Sequence, residues 1–322
     1  MVTVKDFFQL KINPWGLILA VGTMTSVITV ASFLGEWWWP LEIASGFRWQ
    51  FAVLLTLVSL VCFAGRKILP ALVFLILGAV NWIEMVPLYL AAEPVKVSRE
   101  APKLRCLLLS VKCSQLQTEA VKTFIRSTHA DVVVLMDLDD AWERVTESMV
   151  GDYPHSITSP REDAYGVGLL SKLRMSHAES FVSGTALIPT LYVIVQCGTK
   201  ELVILGTRLQ PPAADEDHDS RIDQLVNLGR DFSDPPSRLI LLGDLNVTHW
   251  SPYFKEFKKK AGLLDSAIGF GVQPTWPVNG YGLRIPVDHC LVSPGFRVVS
   301  RTLGPNIGSD HFPLIVDLEV RD

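Results

Sequence analysis

The sequence predicts an α/β protein, a four-layer α/β sandwich of two packed β-sheets flanked by helices, preceded by three transmembrane helices. Two observations predict this architecture. Apolar runs of membrane-spanning length fill the N-terminal part, and short apolar runs alternate with helical patterns in the rest. Hydrophobic residues make up 49% of the 322 residues and charged residues only 19%, against about 25% charge in soluble domains. This composition excludes a disordered chain, a collagen-like repeat and a small disulfide scaffold.

Three apolar runs predict the membrane spans. The first, residues 15–35, contains no ionisable group, and the other two cover residues 49–65 and 68–90. A helix rises about 1.5 Å per residue, so a run of this length approaches the thickness of a bilayer core. The second run is short enough to be a buried core helix instead. The first could be a signal peptide, although the sequence GEWWWP follows it where a small-residue cleavage site would be expected.

The distribution of basic residues predicts the orientation of the spans. Lys5 and Lys11 precede the first span, and Arg66 and Lys67 lie between the second and third. The positive-inside rule therefore places the N-terminus inside and the chain after Leu90 outside. Four basic residues between positions 96 and 105 weaken this asymmetry.

Composition divides the chain into three segments. We expect a membrane anchor over residues 1–92, a polar and proline-punctuated linker over 93–103, and a second domain over 104–322. Residues 101–322 hold 22 Lys and Arg against 27 Asp and Glu. This mildly acidic balance gives no strong signal for binding nucleic acid, which requires a basic surface.

Eight apolar runs in the second domain predict strands that are buried on both faces, which favours two sheets packed against each other. The predicted strands are LRCLLLSV, DVVVLMDL, GVGLLSK, LYVIVQC, ELVILGTRL, RLILLGDL, DHCLVS and PLIVDLEV, and the predicted helices cover residues 118–130, 219–232 and 251–262. The cysteines show no CxxC spacing and are expected to be buried thiols, although four of them could pair outside the cytoplasm. The acidic segment 210–220 is expected to be a loop that either covers a site or is solvated.

Acids and histidines lie at the ends of several predicted strands, and such positions converge on one rim when the strands lie side by side. They are Asp137, Asp244 and Asn246 in GDLN, Asp288 and His289 in DHCLVS, and Asp310 and His311 in SDHFPL. Carboxylates gathered without cysteine suit a hard cation such as Mg²⁺ or Mn²⁺. A bound metal of this kind polarises a phosphoryl oxygen and orients water. Each motif by itself has an ordinary interpretation, since GDLN is also a plain turn sequence.

The order of these motifs resembles the endonuclease/exonuclease/phosphatase superfamily. Segments such as YGVGLLSK, RIDQL, NVTHWSPYF and QPTWP are similar to a bacterial membrane-anchored branch with three N-terminal spans. The resemblance implies a membrane-anchored phosphoesterase that depends on a divalent metal, Mg²⁺ or Mn²⁺ with Ca²⁺ as an alternative. Its partners would be a phosphate-ester substrate and the lipid bilayer, and its second domain would lie outside the cytoplasmic membrane of a bacterium.

The resemblance also implies roles for individual residues. Asp244 would orient or deprotonate the attacking water, Asn246 would bind a phosphoryl oxygen, and Asp288 would orient His311 toward the scissile phosphate. The metal would be held by Asp137, Asp310 and Asp244, and His289 would be structural.

Three positions depart from the family pattern. Asp137 stands where the family has glutamate, Lys112 where it has asparagine, and Arg208 where it has histidine. Lys112 and Arg208, together with Asn246, would bind the substrate phosphate, because both cations are fixed at neutral pH. The same changes favour an alternative, a degenerate family member that binds a phosphorylated ligand or partner without turnover. A third interpretation is a membrane protein in which the sandwich is only a scaffold.

Overall fold

The structure is a computed structural model and describes residues 13–90, 103–112 and 117–321. The chain divides into two compact units, residues 1–86 and 87–322. The predicted linker over 93–103 lies outside the described residues apart from its last position, and so does Cys113. The domain boundaries proposed above therefore stay predictions.

The N-terminal unit is helical, with helices α1 Pro14–Ala31, α2 Trp39–Ser45, α3 Arg48–Ala64 and α4 Ile68–Tyr89. Asn13 caps α1 by accepting a hydrogen bond from the backbone N–H of Trp15, and Pro14 occupies the first turn, where no intrahelical donor is needed. Two segments are long and apolar enough to cross a membrane, Pro14–Leu34 and Ile68–Tyr89. A third span results only if α2 and α3, which are bent by 68°, count as one.

Three of the four hydroxyl side chains of the first helix are buried and only Thr23 is exposed. Thr25, Ser26 and Thr29 are buried in the unit, whereas Met24 and Val27 are more than 60% exposed. Water would favour the reverse arrangement. In a bilayer, by contrast, small and polar residues serve as helix contacts while apolar side chains face lipid. This pattern agrees with a helix that contacts hydrocarbon.

The second unit contains twelve strands in its described part, arranged in two six-stranded sheets. The first sheet has the order β11-β12-β1-β2-β4-β3 and the second has β5-β6-β7-β8-β10-β9. The strands are β1 Lys103–Ser110, β2 Val132–Met136, β3 His155–Ser159, β4 Val167–Ser171, β5 Met175–Val182, β6 Pro189–Cys197, β7 Lys200–Arg208, β8 Leu239–Asp244, β9 Leu264–Asp265, β10 Asp288–Val292, β11 Phe296–Leu303 and β12 Leu314–Val320.

The two sheets pack face to face around one apolar core and carry helices on their outer faces. Cys106 and Val134 from the first sheet lie in the same buried cluster as Val193 and Ile204 from the second. The helices are α5 Thr118–Thr128 and α6 Asp140–Glu147 on the first sheet, and α7 Asp215–Asp231 and α8 Pro252–Lys260 on the second. The predicted four-layer sandwich is confirmed.

All eight predicted strands are present, and four more were not predicted. The missed strands are β3, β5, β9 and β11. The predicted loop 210–220 is partly wrong, because α7 begins at Asp215. Three acidic residues in its first turn stabilise the positive end of that helix. Cys106, Cys197 and Cys290 are free and buried, as predicted.

Candidate active site

Three neighbouring strands align the central residues of the site. In the second sheet β7 runs parallel to β8, and β10 runs antiparallel to it, so that Arg208 and Asp288 are both register partners of Asp244. Gly243 permits the close approach of β7 and β8, because a Cβ atom there would lie 2.0 Å from the Thr207 carbonyl oxygen. One guanidinium and two carboxylates therefore lie at the same end of three neighbouring strands, although they are up to 80 positions apart in the sequence.

A buried histidine–aspartate pair forms one half of the site. His311, on the loop before β12, donates from Nδ1 to Asp288 Oδ2 at 2.8 Å, and its Nε2 lies 3.8 Å from Asp244 Oδ2. Burial acts to lower the pKa of His311, but the charges of Asp288 and Asp244 outweigh it and raise that pKa to about 10. His311 is therefore an imidazolium ion at neutral pH, and Nε2 is a charged donor.

Asp244 lies at the centre of the site and is almost fully buried. Burial raises its pKa, and Arg208 and His311 oppose this rise, leaving the pKa at about 6. Asn246 turns back toward Asp244, with its backbone N–H 3.1 Å from Oδ1 and its side-chain amide 3.3 Å from Oδ2. The backbone of Asn246 is left-handed, with φ of 48°, which asparagine tolerates better than most residues.

A fixed ion pair forms the other half of the site and joins the two sheets. Arg208 Nη1 donates to Asp137 Oδ1 at 2.6 Å and lies 3.4 Å from Asp244 Oδ2. The second oxygen of Asp137 accepts a hydrogen bond from Ser110 Oγ at the end of β1. Asp137 itself has a left-handed backbone, with φ of 60°, directly after β2. Both carboxylate oxygens of Asp137 therefore have protein partners.

Of the two remaining predicted residues, Asp310 lies next to the site and Lys112 has an exposed side chain. Asp310 precedes His311, and its charge contributes to the raised pKa of that histidine. Its Oδ1 atom is buried and has no hydrogen-bond partner among the described residues. Lys112 is exposed, and its backbone N–H donates to Ser110 Oγ. No ion pair connects Lys112 to the site in the described part of the chain.

The charges and donors around this cluster fit a divalent cation. Four carboxylates interact with Arg208 or His311, namely Asp137, Asp244, Asp288 and Asp310. Two cationic side chains against four carboxylates leave an excess of negative charge. In addition, Asp244, Asp288 and His311 offer ligand atoms within 4.8 Å of one another. His311 is protonated and bonded to Asp288, so the carboxylates of Asp244 and Asp310 are the better donors for a hard cation. Asp310 Oδ1 has no hydrogen-bond partner among the described residues.

A second buried cluster of histidines and an aspartate lies next to the site and includes His289 of β10. His249 Nδ1 is 2.8 Å from Asp265 Oδ2, and His289 Nε2 is 2.8 Å from the carbonyl oxygen of Val247. Burial and the neighbouring His249 lower the pKa of His289 to about 3, so its ring is neutral. Because this bond ties β10 to the segment after Asn246, it agrees with the structural role predicted for His289.

Sequence reasoning missed several residues that support the site. Ser110 is the last residue of β1 and donates a hydrogen bond to Asp137. Thr275 Oγ1 accepts hydrogen bonds from the backbone N–H groups of Val287 and Asp288. Arg221 of α7 donates to the carbonyl oxygen of Asn246. Thr275 and Arg221 belong to the segments QPTWP and RIDQL, which resemble the family but indicate no role for either residue by themselves.

The sequence matches the model of the Endonuclease/Exonuclease/phosphatase family over residues 106–311. This match covers more than half of the chain, and the chain belongs to that family. The matched residues hold the central site residues from Asp137 to His311. No curated protein gives a significant match to the chain.

Solved structures share the fold at low sequence identity. An endonuclease/exonuclease/phosphatase from Beutenbergia cavernae is 20% identical, with a TM-score of 0.54, over 68% of this chain and 72% of that one. D. rerio TDP2 humanized by 14 mutations is 15% identical, with a TM-score of 0.56, over 68% and 99%. The human Nocturnin catalytic domain, solved with a bound sulfate anion, is 16% identical, with a TM-score of 0.54, over 68% and 95%.

Proposed function

We propose that this protein is a membrane-anchored phosphoric ester hydrolase that uses a divalent cation, Mg²⁺ or Mn²⁺, and cleaves a small or lipid-linked phosphodiester by attack of water. One observation carries the proposal. Asp244, Asp288 and His311 come from separate stretches of the chain and meet in one buried cluster, with His311 bonded to Asp288 at 2.8 Å and facing Asp244 at 3.8 Å.

Each side chain of the site has a separate role in the proposed phosphoryl transfer to water. Asp244, ionised above about pH 6, accepts a hydrogen bond from the attacking water and orients it. The imidazolium of His311 donates from Nε2 to a phosphoryl oxygen and stabilises the negative charge that develops there, while Asp288 fixes the ring. Asn246 keeps Asp244 in place through its backbone and side-chain N–H groups, and its amide also donates to the carbonyl oxygen of Leu209. The contact with a phosphoryl oxygen that the resemblance implies for Asn246 is therefore not part of this proposal. The cation would be held by Asp244 and Asp310 and would polarise the phosphoryl oxygens.

Membrane attachment is supported by the surface of the N-terminal unit. Its exposed large hydrophobic residues include Leu17, Leu69, Ile76 and Ile83, each more than half exposed. Exposed apolar area of this extent is unfavourable in water and is normal for a helix in lipid. We place residues after Leu90 outside the cytoplasmic membrane on the positive-inside argument. Thiol labelling of single cysteines at Lys67 and at exposed Lys172 would test this orientation, since labelling of Lys67→Cys in intact cells contradicts it.

The substrate proposal follows from charge and tethering. The acidic balance of residues 101–322 disfavours a long polyanion. A phosphodiester that lies in or near the membrane needs no basic surface to concentrate it. Activity on a lipid phosphodiester in mixed micelles that exceeds activity on double-stranded DNA by at least tenfold would support this choice, and the reverse ranking would contradict it.

Hydrolysis of bis-p-nitrophenyl phosphate by the full chain in detergent tests the catalytic proposal. We expect turnover with Mg²⁺ or Mn²⁺, loss of turnover with a chelator, and loss of about 10² or more in kcat for Asp244→Asn. Asp152→Asn is the matched control, because Asp152 forms an ion pair with Arg126 on the surface. No turnover with any of Mg²⁺, Mn²⁺ or Ca²⁺ would refute the hydrolase.

A second candidate function is phosphate binding without turnover. The observation that favours it is the Arg208–Asp137 ion pair, because a permanent cation stands at a position where family resemblance predicts a titratable histidine. Restoring the family residues in Lys112→Asn, Asp137→Glu and Arg208→His should then create activity in a chain that has none.

A further inference from the structure

We propose that Asp137 is a positioning residue, which holds the guanidinium of Arg208 for a phosphate group of the ligand, and that it is not a ligand of the divalent cation. This inference rests on the proposed site but reassigns one of its residues. The family resemblance places a metal ligand at this position, whereas the side-chain contacts in this chain give it a different partner.

The contacts of the Asp137 carboxylate are the first step. Oδ1 accepts from Arg208 Nη1 at 2.6 Å, and Oδ2 accepts from Ser110 Oγ. Its side chain is only 1% exposed. A charge-assisted hydrogen bond of this length is among the strong interactions in proteins. A cation at Asp137 would have to displace Arg208 or Ser110 from the carboxylate.

The aspartate side chain is the second step. Relative to glutamate, Asp137 is shorter by one methylene group, so its carboxylate stays near the end of β2. Arg208 ends β7 in the opposite sheet and is long enough to reach it across the core. The left-handed backbone at Asp137 also sets the direction of this side chain. In this chain the guanidinium of Arg208 occupies the space next to the Asp137 carboxylate.

The free donors of Arg208 are the third step. Asp137 and Asp244 both lie beside Nη1, and Nε is buried without a hydrogen-bond partner among the described residues. Because guanidinium has five N–H donors in a rigid fork, the edge away from Asp137 is left to bind oxygen atoms. Phosphate and carboxylate groups both match that edge in geometry, and the proposed ester substrate supplies a phosphate group. The phosphoryl group of the ester substrate is therefore the ligand that this arrangement fits.

The position of Asp310 is the fourth step. Neither Asp137 nor Asp310 belongs to a described group of three metal-binding side chains. Asp310, however, retains a buried oxygen without a hydrogen-bond partner among the described residues, whereas both oxygens of Asp137 have partners. The cation is therefore assigned to Asp244 and Asp310, and the phosphate group to Arg208. Cation binding and phosphate binding become separable, which gives a test independent of turnover.

Two titrations of the full chain in detergent provide that test. Inorganic phosphate is titrated by calorimetry in the presence of a chelator, and Mn²⁺ is titrated alone. Asp137→Asn keeps the shape of the side chain and suits the left-handed backbone. We expect phosphate binding to weaken about tenfold, because the guanidinium loses the charge-assisted bond that positions it and this loss outweighs the removal of one negative charge. We expect the dissociation constant for Mn²⁺ to rise by no more than about threefold, because the variant removes a nearby negative charge but no ligand of the cation.

Three variants control the interpretation. Asp244→Asn should weaken Mn²⁺ binding, and Asp152→Asn should change neither titration. Arg208→Gln should weaken phosphate binding as well. In the double variant, Asp137→Asn should cause no further loss of phosphate affinity, because both changes remove the positioned guanidinium. Additive losses would mean that Asp137 does not act through Arg208.

Weaker Mn²⁺ binding by Asp137→Asn, by tenfold or more, would overturn the proposal and return Asp137 to the metal ligands. Unchanged phosphate binding by this variant, or no phosphate binding by the wild type, would overturn it too. A chain that binds phosphate through Arg208 but never hydrolyses an ester would refute the proposed hydrolase and leave the role of Asp137 standing.

Discussion

The site contains two acid–cation pairs of opposite character. His311 with Asp288 is a pair whose cation can lose its proton, although the neighbouring carboxylates raise the pKa of His311 to about 10. Arg208 with Asp137 is a pair whose cation cannot do so at any accessible pH. Both place a positive charge within 4 Å of an Asp244 oxygen. One pair therefore stabilises Asp244 with a charge that depends on pH, and the other pair does so with a charge that does not.

Removing the titratable cation should have the largest effect. His311→Gln keeps a hydrogen-bond donor but loses the charge, and we expect kcat on bis-p-nitrophenyl phosphate to fall by about 10²–10³. His177→Gln is the control, since that histidine is half exposed on β5. A loss below tenfold would mean that the fixed pair alone stabilises the transition state.

The pH dependence of kcat/KM should reflect the titration of Asp244 and His311 and not that of Arg208. Below about pH 6 Asp244 is protonated and cannot orient water, so kcat/KM should fall about tenfold per pH unit there. Above about pH 10 His311 loses its proton and a second decline should begin. In His311→Gln the acidic limb should move to higher pH, because the charge of His311 lowers the pKa of Asp244. A limb that does not move would contradict this coupling.

Weakening the fixed pair should affect binding more than turnover. Arg208→Lys keeps the charge and loses the planar fork, and we expect KM to rise about tenfold with kcat within about threefold of wild type. Arg126→Lys changes an exposed Arg–Asp pair and should leave both constants unchanged. A drop in kcat as large as that of His311→Gln would make the two pairs equivalent.

The smallest expected effect concerns the support of the fixed pair. Ser110→Ala removes one hydrogen bond to Asp137 and should cost about 1 kcal/mol of the free energy of unfolding. This corresponds to a melting temperature lower by about 2–4 °C in a domain of this size. Ser127→Ala, on the exposed face of α5, is the reference. A decrease in melting temperature of more than about 8 °C would show that Ser110 also supports the packing of the two sheets beyond its bond to Asp137.

The sequence predicted the strands that are buried on both faces and missed those that are not. All five residues of β2 are buried, and their uninterrupted apolar run identifies the strand directly. Strand β5 is an edge strand whose residues are mostly exposed, so MSHAESFV carries no apolar pattern. The acidic residues after position 214 suggested a solvated loop, although acids are also favoured in the first turn of a helix.

Local sequence determined which polar residues stand at the ends of strands, because apolar runs end where the chain leaves the core. The positions of Asp137, Arg208, Asp244 and Asp288 at strand ends follow from this pattern alone. Only the tertiary structure decided which of them are partners. Arg208 and Asp137 are 71 positions apart and belong to different sheets, and their ion pair depends on a separation of a few ångströms that sheet packing sets. Since no local rule encodes that distance, the change of Asp137 from an expected metal ligand to the partner of an arginine emerges only from the folded chain.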